Sequence, residues 1–340
     1  MINGLNCGGT DDAINPWSRS TANYDPNCFF VHKIVLPASL LPHIACVCKV
    51  FYTFPSLLTG GITLRIGFHI STAKGFVWTL REAGRLGCEV VQIFLKNPRA
   101  WTQKILTDID LESFGRLSQA LPVFAHLSYL PNIAKIDGDE RHMRGFLHEI
   151  DLCRQLGIRA MVVHCGSRPQ RDKGIRMASQ AIDHALKESD ISILLENSAG
   201  QGHGIGRNIV ELFEIYQGIE NHERVSLCLD TAHLFASGYD IRAREVWDAL
   251  IREVDGRFGP HKIGLFHLND SKTDLGSKAD RHWHIGTGKI GLHAFRDIIN
   301  DLRFRNLMGV METPKVDSMD EENMKTMKSL LSPLMSRSFS

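Results

Sequence analysis

The chain has no excess of charge of either sign, which limits how it could bind a polyanion. Its 340 residues contain 39 Lys and Arg against 38 Asp and Glu, a formal net charge of +1. A protein that coats nucleic acid without specificity carries a basic excess, because each phosphate that it neutralises releases a counterion. The composition therefore excludes a general nucleic-acid coat. Any nucleic-acid binding must rest on local positive potential, supplied in part by bound metal.

Disulfide-like cysteine spacing is also missing. The eight cysteines are scattered, and the Cys46-x-Cys48 pair has no second pair with which it could hold a structural metal. Scattered cysteines of this kind fit a reduced compartment. We therefore expect free thiols rather than a disulfide framework.

No uninterrupted hydrophobic stretch is long enough for a membrane helix. The main apolar run, Ile34–Cys48, is broken by two prolines and a histidine. It also begins too far from Met1, behind three aspartates, to resemble a signal or transit peptide. We expect no membrane partner, and we interpret residues 1–63 as a poorly ordered N-terminal extension. That interpretation leaves a catalytic domain at residues 64–336.

From residue 64 onward, short apolar runs alternate with longer amphipathic stretches, which is the pattern of βα units. The predicted strands are Arg65–Ile70, Val90–Leu95, Val123–Leu127, Ala160–His164, Ile191–Glu196, Val225–Asp230, Lys262–Leu268 and Gly309–Glu312. The predicted helices include Arg141–Leu156, Ile175–Lys187, Asn208–Ile219 and Ala243–Val254, and a final helix at Glu321–Leu334 would close the ring. Eight strands with eight following helical segments predict an α/β fold, a closed (β/α)8 TIM barrel rather than an open doubly wound sheet.

Polar side chains end most of the predicted strands. The apolar runs finish at His69, His126, His164, Glu196, Asp230, His267 and Glu312. Strands buried in a barrel are usually apolar throughout, so ionisable groups there are costly unless they are paired or bind metal. Because the active sites of TIM barrels lie at the C-terminal ends of the strands, these side chains should converge on one mouth.

Each of these positions also has a simpler interpretation. A single His at a strand end usually makes hydrogen bonds at the rim of the core, and a single Asp or Glu often caps the next helix. Recurrence around one ring favours a metal site, and the pairs Asp230–His233 and Asp280–His282 add to the same set. Mixed imidazole and carboxylate ligands suit zinc, manganese or iron. This chemistry alone indicates either a multinuclear metallohydrolase or a metal-dependent sugar isomerase.

Segments around these residues resemble the endonuclease IV family of abasic-site endonucleases. They read GFHIS (67–71), QIFLKNPRAW (92–101), AHLSYLPNIA (125–134), VVHCGS (162–167), LLENSAGQG (194–202), LCLDTAHLFASGYD (227–240), LFHLNDSKTDLGSKADRHWHIGTGKIG (265–291) and VMETP (310–314). The resemblance runs from about residue 65 to residue 320, in the family's order and at family-like spacing. It implies a xylose-isomerase-like TIM barrel with its metal site at the C-terminal face of the strands.

The resemblance further implies a centre of three zinc ions (Zn²⁺) per chain. One ion would be held by His126, His164 and Glu196, a second would share Glu196 and add Asp230, His267 and Glu312, and the third would take His233, Asp280 and His282. Glu196 would be the catalytic residue, because it would bridge two ions and orient the hydroxide that attacks phosphorus. The family's reaction is hydrolysis of the phosphodiester 5′ to an abasic site. It leaves a 3′-hydroxyl and a 5′-deoxyribose phosphate during base excision repair.

By the same resemblance, the partner is double-stranded DNA with abasic or 3′-blocked damage. Arg99, Tyr129 and Leu130 would enter the duplex from loops at the barrel mouth, and His69 would lie near the metal site or a phosphate. An abasic nucleotide has no base to stack or pair, so extruding it from the duplex costs little. We expect a monomer, because each site is complete within one chain. We expect it in the cytoplasm with the nucleoid of a bacterium, or in the nucleus or mitochondrion of a eukaryote.

The chain departs from the family pattern at several positions, among them Cys165 and Lys74. Cys165 replaces the usual proline after His164, and Lys74 lies in the first loop, where small residues are customary. Neither change removes a ligand. Two alternatives stay open: a metal-dependent sugar isomerase or epimerase of the same barrel superfamily, and a catalytically silent binder of damaged DNA. The first gives no role to the Asp280-x-His282 segment, and the complete ligand set speaks against the second.

Overall fold

The computed structural model describes residues 64–316 and 319–331. The expected N-terminal extension, residues 1–63, lies outside the described residues, as do residues 332–336 at the end of the expected domain. The domain bounds of 64–336 therefore stay a prediction. Within the described ranges, no helix has both the length and the apolar character needed to cross a membrane.

Eight parallel strands form a closed barrel. In chain order they are β1 (Arg65–His69), β2 (Val91–Phe94), β3 (Val123–His126), β4 (Ala160–His164), β5 (Ser192–Glu196), β6 (Val225–Asp230), β7 (Ile263–His267) and β10 (Met308–Met311). The ring closes where β10 pairs with β1, with Ile66 opposite Gly309. The predicted (β/α)8 TIM barrel is confirmed, although several strands end one residue earlier than predicted.

Two further strands, β8 (Asp270–Ser271) and β9 (His282–Trp283), form a short antiparallel ribbon between β7 and β10. The sequence pattern does not predict this ribbon, because two-residue strands leave no periodicity to detect. The ribbon folds the segment that carries Asp280 and His282 back toward the end of β7.

The described helices surround the barrel. They are α1 (Phe76–Leu86), α2 (Asp108–Ala120), α3 (Glu140–Leu156), α4 (Arg171–Glu188), α5 (Ile209–Gln217), α6 (Thr231–Ser237), α7 (Arg244–Phe258), α8 (Leu292–Ile299) and α9 (Met319–Leu330). Local signals set their ends: Thr107 and Asp110 form a capping box at the start of α2, and α3 stops at Gly157, whose φ of 71° suits glycine. Helix α4 begins at Arg171, four residues before its predicted start, and the short α6 is absent from the prediction.

Alternation along the strands separates an inner core from an outer one. Successive side chains of a strand point to opposite faces. A small buried cluster inside the barrel consists of Val90, Phe124, Ala160, Val162, Leu194, Cys228, Leu265, Met308 and Val310. Seven polar side chains follow members of this cluster by two positions, at the C-terminal ends of seven of the eight strands: Gln92, His126, His164, Glu196, Asp230, His267 and Glu312. These seven polar side chains therefore share the inner face, directly above an apolar plug.

Candidate metal centre

The C-terminal ends of the strands bring three groups of possible metal ligands together. They are His126, His164 and Glu196; Glu196, Asp230, His267 and Glu312; and Asp230, His233 and His282. Within each group, the donor atoms lie within 4.8 Å of one another. Eight of the nine residues predicted as ligands belong to these groups, and the ninth, Asp280, lies beside the third group.

Glu196, at the end of β5, lies between the first two groups. Its side chain is completely buried. One carboxylate oxygen, Oε2, is 3.1 Å from Nε2 of His126 and 3.5 Å from Nδ1 of His164. The other oxygen, Oε1, is 2.9 Å from Nδ1 of His267. The two oxygens thus face different sets of ligands, which is the arrangement that a bridging carboxylate needs.

Asp280 reaches the third group from the segment between β8 and β9. Its Oδ1 is 3.3 Å from Nε2 of His233 and 3.5 Å from Nε2 of His282. About half of its side chain is exposed. Asp230 also approaches this group, with Oδ2 3.4 Å from Nε2 of His282. The resemblance assigns Asp230 to the second ion alone. In the structure, Asp230 belongs to both the second and the third group.

Asp230 combines two functions that the sequence offers as alternatives. Its Oδ1 accepts a hydrogen bond of 2.8 Å from the backbone N–H of His233 and so caps α6. Its Oδ2 accepts from the side-chain amide of Asn269 at 2.7 Å and faces His282. The helix cap orients the carboxylate, and the same carboxylate keeps one oxygen for the centre.

Hydrogen bonds on the outer side of the imidazoles orient them. Nδ1 of His126 lies 2.8 Å from the carbonyl oxygen of Leu127, and Nδ1 of His233 lies 2.9 Å from that of Asn197. A carbonyl can only accept, so each Nδ1 carries the proton and each Nε2 keeps a free lone pair for the centre. Nδ1 of His282 faces the carbonyl of Glu312 at 3.2 Å in the same way. The rings are held in the tautomer that metal binding requires.

The electrostatics of the centre fit a bound cation. In the described part of the chain, the ion-pair partners of Glu196 are all imidazoles, from His126, His164, His233 and His267. Burial alone would raise the pKa of Glu196, but His164 and His267 hold that pKa well below its usual range. Each of the three groups combines carboxylates with imidazoles, which is the donor set that zinc and similar ions take. The residues present therefore fit a metal.

The residues predicted to enter DNA lie at the rim of the same mouth. Arg99 is exposed, Leu130 is half-buried, and the side chain of Tyr129 is 56% exposed. His69 lies deeper, with Nδ1 2.9 Å from Oε1 of Glu312. Within the described residues, the buried Nε2 of His69 has no hydrogen-bond partner. The structure thus places His69 against a predicted ligand, while its predicted contact with DNA stays a prediction.

Sequence reasoning misses three amides that support the centre. The buried Gln92 donates from Nε2 to Oε1 of Glu312 at 2.7 Å and lies 2.9 Å from Nε2 of His267 through Oε1. Asn269 bonds both the Asp230 carboxylate and the backbone N–H of Glu312. Asn197 accepts from the backbone N–H of Asp230. One sequence signal could have identified Gln92. It lies two residues after Val90, so strand alternation places a polar side chain on the inner face of the barrel.

The departures from the family pattern at Cys165 and Lys74 leave the centre's donors in place. Cys165 is buried and belongs to the outer core, where its Sγ lies 3.9 Å from the carbonyl oxygen of Glu196. Lys74 extends over the ring of Trp78, with Nζ 4.8 Å from the ring centroid. Cys165 therefore packs behind the site instead of facing it.

Comparisons with known proteins show what this chain is similar to. The family described as xylose isomerase-like TIM barrel matches residues 80–331. A protein of Chloroflexus aggregans named probable endonuclease 4 is 38% identical over 270 residues, covering 76% of this chain and 94% of that protein. A protein of Nitratidesulfovibrio vulgaris with the same name is 37% identical over 275 residues, covering 78% and 98%.

Solved structures give the same result. The crystal structure of endonuclease IV from Thermus thermophilus is 32% identical, with a TM-score of 0.70, and the match covers 78% of this chain and 98% of that one. A D-tagatose 3-epimerase-like protein aligns with a TM-score of 0.59 over 78% of this chain and 96% of its own, but at 13% identity. The second similarity extends to the fold alone.

Proposed function

The chain belongs to the endonuclease IV family, and from this membership we propose that it is a zinc-dependent DNA repair endonuclease. It hydrolyses the phosphodiester 5′ to abasic sites and leaves 3′-hydroxyl and 5′-deoxyribose phosphate ends, as one step of base excision repair. The observation that carries the proposal is the position of Glu196, whose two carboxylate oxygens face two different sets of ligands. The alternative of a sugar epimerase predicts fewer metal ions and so gives the second set of ligands no function.

Three ions fit the residues present. The first would be held by His126, His164 and Glu196, the second by Glu196, Asp230, His267 and Glu312, and the third by His233, Asp280 and His282. When bound, zinc supplies Lewis acidity: it lowers the pKa of water and stabilises negative charge on phosphate oxygens. Glu196 would orient the attacking water, because its carboxylate lies among the donors and is completely buried.

Recognition of damage would come from the rim. Arg99 and Tyr129 are exposed there, and Leu130 stands beside them, so their side chains can fill the gap that an extruded abasic nucleotide leaves. The pKa of Tyr129 is raised, by burial first and by nearby carboxylates second, so the phenol is neutral when it enters a stack of bases. Each ligand group comes from one chain, and we propose a monomer.

Incision of a labelled duplex that carries one abasic-site analogue tests the proposal, with an undamaged duplex as the control. The same protein is assayed for bound metal. We expect a cut on the 5′ side that leaves a 3′-hydroxyl, with about three zinc ions per chain, the number that the ligand groups accommodate. Glu196→Gln should lower the incision rate by more than about 100-fold, because a misplaced reacting group costs at least that much. The exposed Glu245→Gln on α7 is the matched control.

Two other outcomes would replace the proposal. Full metal content and tight binding to the damaged duplex without a cut would identify a silent binder. If the protein neither binds nor cuts the duplex, contains fewer ions and converts a ketose, it is a sugar epimerase. Sedimentation of the same sample measures its mass in solution and so tests whether the protein is a monomer.

A further inference from the structure

The two loops proposed to read DNA touch each other at the barrel mouth. We call residues 97–101 the first rim loop and residues 128–132 the second rim loop. The backbone N–H of Tyr129 donates to the carbonyl oxygen of Pro98 at 3.1 Å. The ring of Tyr129 packs edge-on against Phe94, with the ring centroids 5.1 Å apart. A shift of one loop would therefore move the other.

A buried carboxylate on α3 holds the second rim loop from below. Glu149 is completely buried, and its side chain accepts hydrogen bonds from two groups of Ser128. Oε2 accepts from the backbone N–H of Ser128 at 3.1 Å, and Oε1 accepts from the Ser128 hydroxyl. Burial raises the pKa of Glu149, while the Ser128 hydrogen bonds and the charge of Lys96 oppose that effect. Glu149 connects the rigid helix α3 directly to the residue before Tyr129.

The buried ammonium group of Lys96 holds the first rim loop. Lys96 is 8% exposed, and its Nζ donates to the carbonyl oxygens of Asn97 and Ala100, on either side of Arg99. The same Nζ lies 3.9 Å from Oε1 of Glu149. One ion pair thus joins the anchors of both loops.

We propose that Lys96 and Glu149 are positioning residues for damage recognition: their buried ion pair sets the placement of the two rim loops relative to each other. The proposal rests on the function proposed above, since it assumes that the rim loops read DNA. A buried ion pair adds little net stability, because the loss of hydration offsets the attraction of the charges. The hydrogen bonds of this pair go to the backbone and hydroxyl of the rim loops, so its effect falls on their geometry.

The first test measures the loops without DNA. Amide hydrogen exchange is followed by mass spectrometry in the full chain, in Glu149→Gln and in the double variant Lys96→Met/Glu149→Gln, which leaves no unpaired buried charge. We expect peptides over both rim loops to exchange about tenfold faster in either variant, because the loops lose fixed hydrogen bonds. Asp301→Asn is the control. Asp301 is a buried carboxylate that accepts a hydrogen bond from the indole N–H of Trp247. It precedes β10 and so lies at the other end of the barrel from the rim loops.

The second test separates positioning from catalysis. On abasic duplex, the double variant should raise KM about tenfold and leave kcat within about twofold, because the rim loops contact DNA away from the reacting phosphate. Zinc content should equal that of the unaltered chain. Loosening of one rim loop without the other, or a fall in kcat at unchanged KM, would overturn the proposal. If the unaltered chain does not cut abasic DNA, the proposed function fails, whatever the exchange experiment shows.

Discussion

Gln92 and His267 form a completely buried hydrogen bond beneath the candidate metal centre, with 2.9 Å between Oε1 of the amide and Nε2 of the imidazole. The amide oxygen can only accept, so Nε2 of His267 carries the proton and Nδ1 keeps its lone pair for the centre. The other end of the amide donates to Glu312 at 2.7 Å. One side chain therefore orients two predicted ligands of the same ion.

Substituting Gln92 should weaken metal binding without removing a ligand. Gln92→Leu keeps the volume but takes away the hydrogen bonds to His267 and Glu312, and we expect a loss of zinc affinity of about 10- to 100-fold, which is typical when a partner of a ligand is removed. Competition with a chromophoric chelator measures the affinity directly. Gln155→Leu, on the exposed face of α3, is the control. Equal zinc affinity of the Gln92 variant and the unaltered chain would show that the amide has no influence on the ligands.

The pair also shows what a sequence can and cannot reveal. Six of the nine predicted ligands are recognisable because His, Asp and Glu stand at the ends of apolar strands, where a buried strand is expected to be apolar. Gln92 stands inside the run VQIF, and glutamine is no common zinc ligand, so only its position on the inner face distinguishes it. Its function depends on where β7 and β10 place His267 and Glu312, which are far away in sequence.

The third ligand group illustrates the same limit. Asp280 and His282 follow no barrel strand, and local periodicity gives no reason for them to face His233. Their placement depends on pairing between β8 and β9 and on a carboxylate, Asp270, that organises the returning segment. A short stretch of neighbouring residues does not reveal pairing of this kind. It does reveal the start of α6, because Asp230 is a typical helix N-cap residue.

Asp270 should be essential for the third ion even though it is not a predicted ligand. Its buried carboxylate accepts hydrogen bonds from the backbone N–H groups of Ser271, Gly286, Gly288, Ile290 and Gly291. In Asp270→Asn, an NH2 group replaces one carboxylate oxygen, so several backbone N–H groups lose their acceptor. Each buried group left unpaired lowers the free energy of unfolding by about 1–3 kcal/mol. We expect a lower free energy of unfolding and a loss of about one zinc ion per chain, because His282 and Asp280 lose their support.

Chemical denaturation and metal analysis measure the two effects. The exposed Asp274→Asn is the control, since Asp274 bonds to the same segment through Lys289 at the surface. Gly288→Ala should resemble Asp270→Asn, because an added Cβ would lie 2.5 Å from Oδ1 of Asp270. Three ions bound at unchanged affinity in Asp270→Asn would contradict this account of the segment.

The four cysteines of the described residues should resist alkylation in the folded protein. Cys88, Cys153, Cys165 and Cys228 are all buried and free. Burial raises the pKa of Cys88 to about 11 and that of Cys228 to about 12, and it raises the pKa of Cys165 further. Because the thiolate is the reactive form, iodoacetamide should modify these residues at least about 100-fold more slowly than in denatured chain. Peptide mapping by mass spectrometry gives the rates.

Cys165 gives the most informative rate of the four, because it follows the predicted ligand His164. Rapid modification of Cys165 in the native protein would show that its thiol is accessible from the centre. Cys165→Ala should retain its zinc, since the sulfur packs in the outer core and its hydrogen bond goes to the backbone carbonyl of Glu196.

Removing the side chain of Tyr129 should impair the selection of damaged DNA and leave the fold intact. The residue is 56% exposed and is not one of the predicted ligands, so Tyr129→Ala should cost little stability and leave the zinc content unchanged. If the ring fills the gap beside an abasic nucleotide, its loss should raise KM for damaged duplex by about 10- to 100-fold, the range of a lost stacking contact. Arg99→Ala should act in the same direction.

Steady-state incision kinetics and thermal unfolding measure both effects. Leu302→Ala is the control for loss of an exposed apolar side chain, since Leu302 is 68% exposed and lies near the start of β10. A KM that stays constant in both rim variants, with zinc and fold intact, would mean that the rim does not read the damage and that selection must arise inside the mouth.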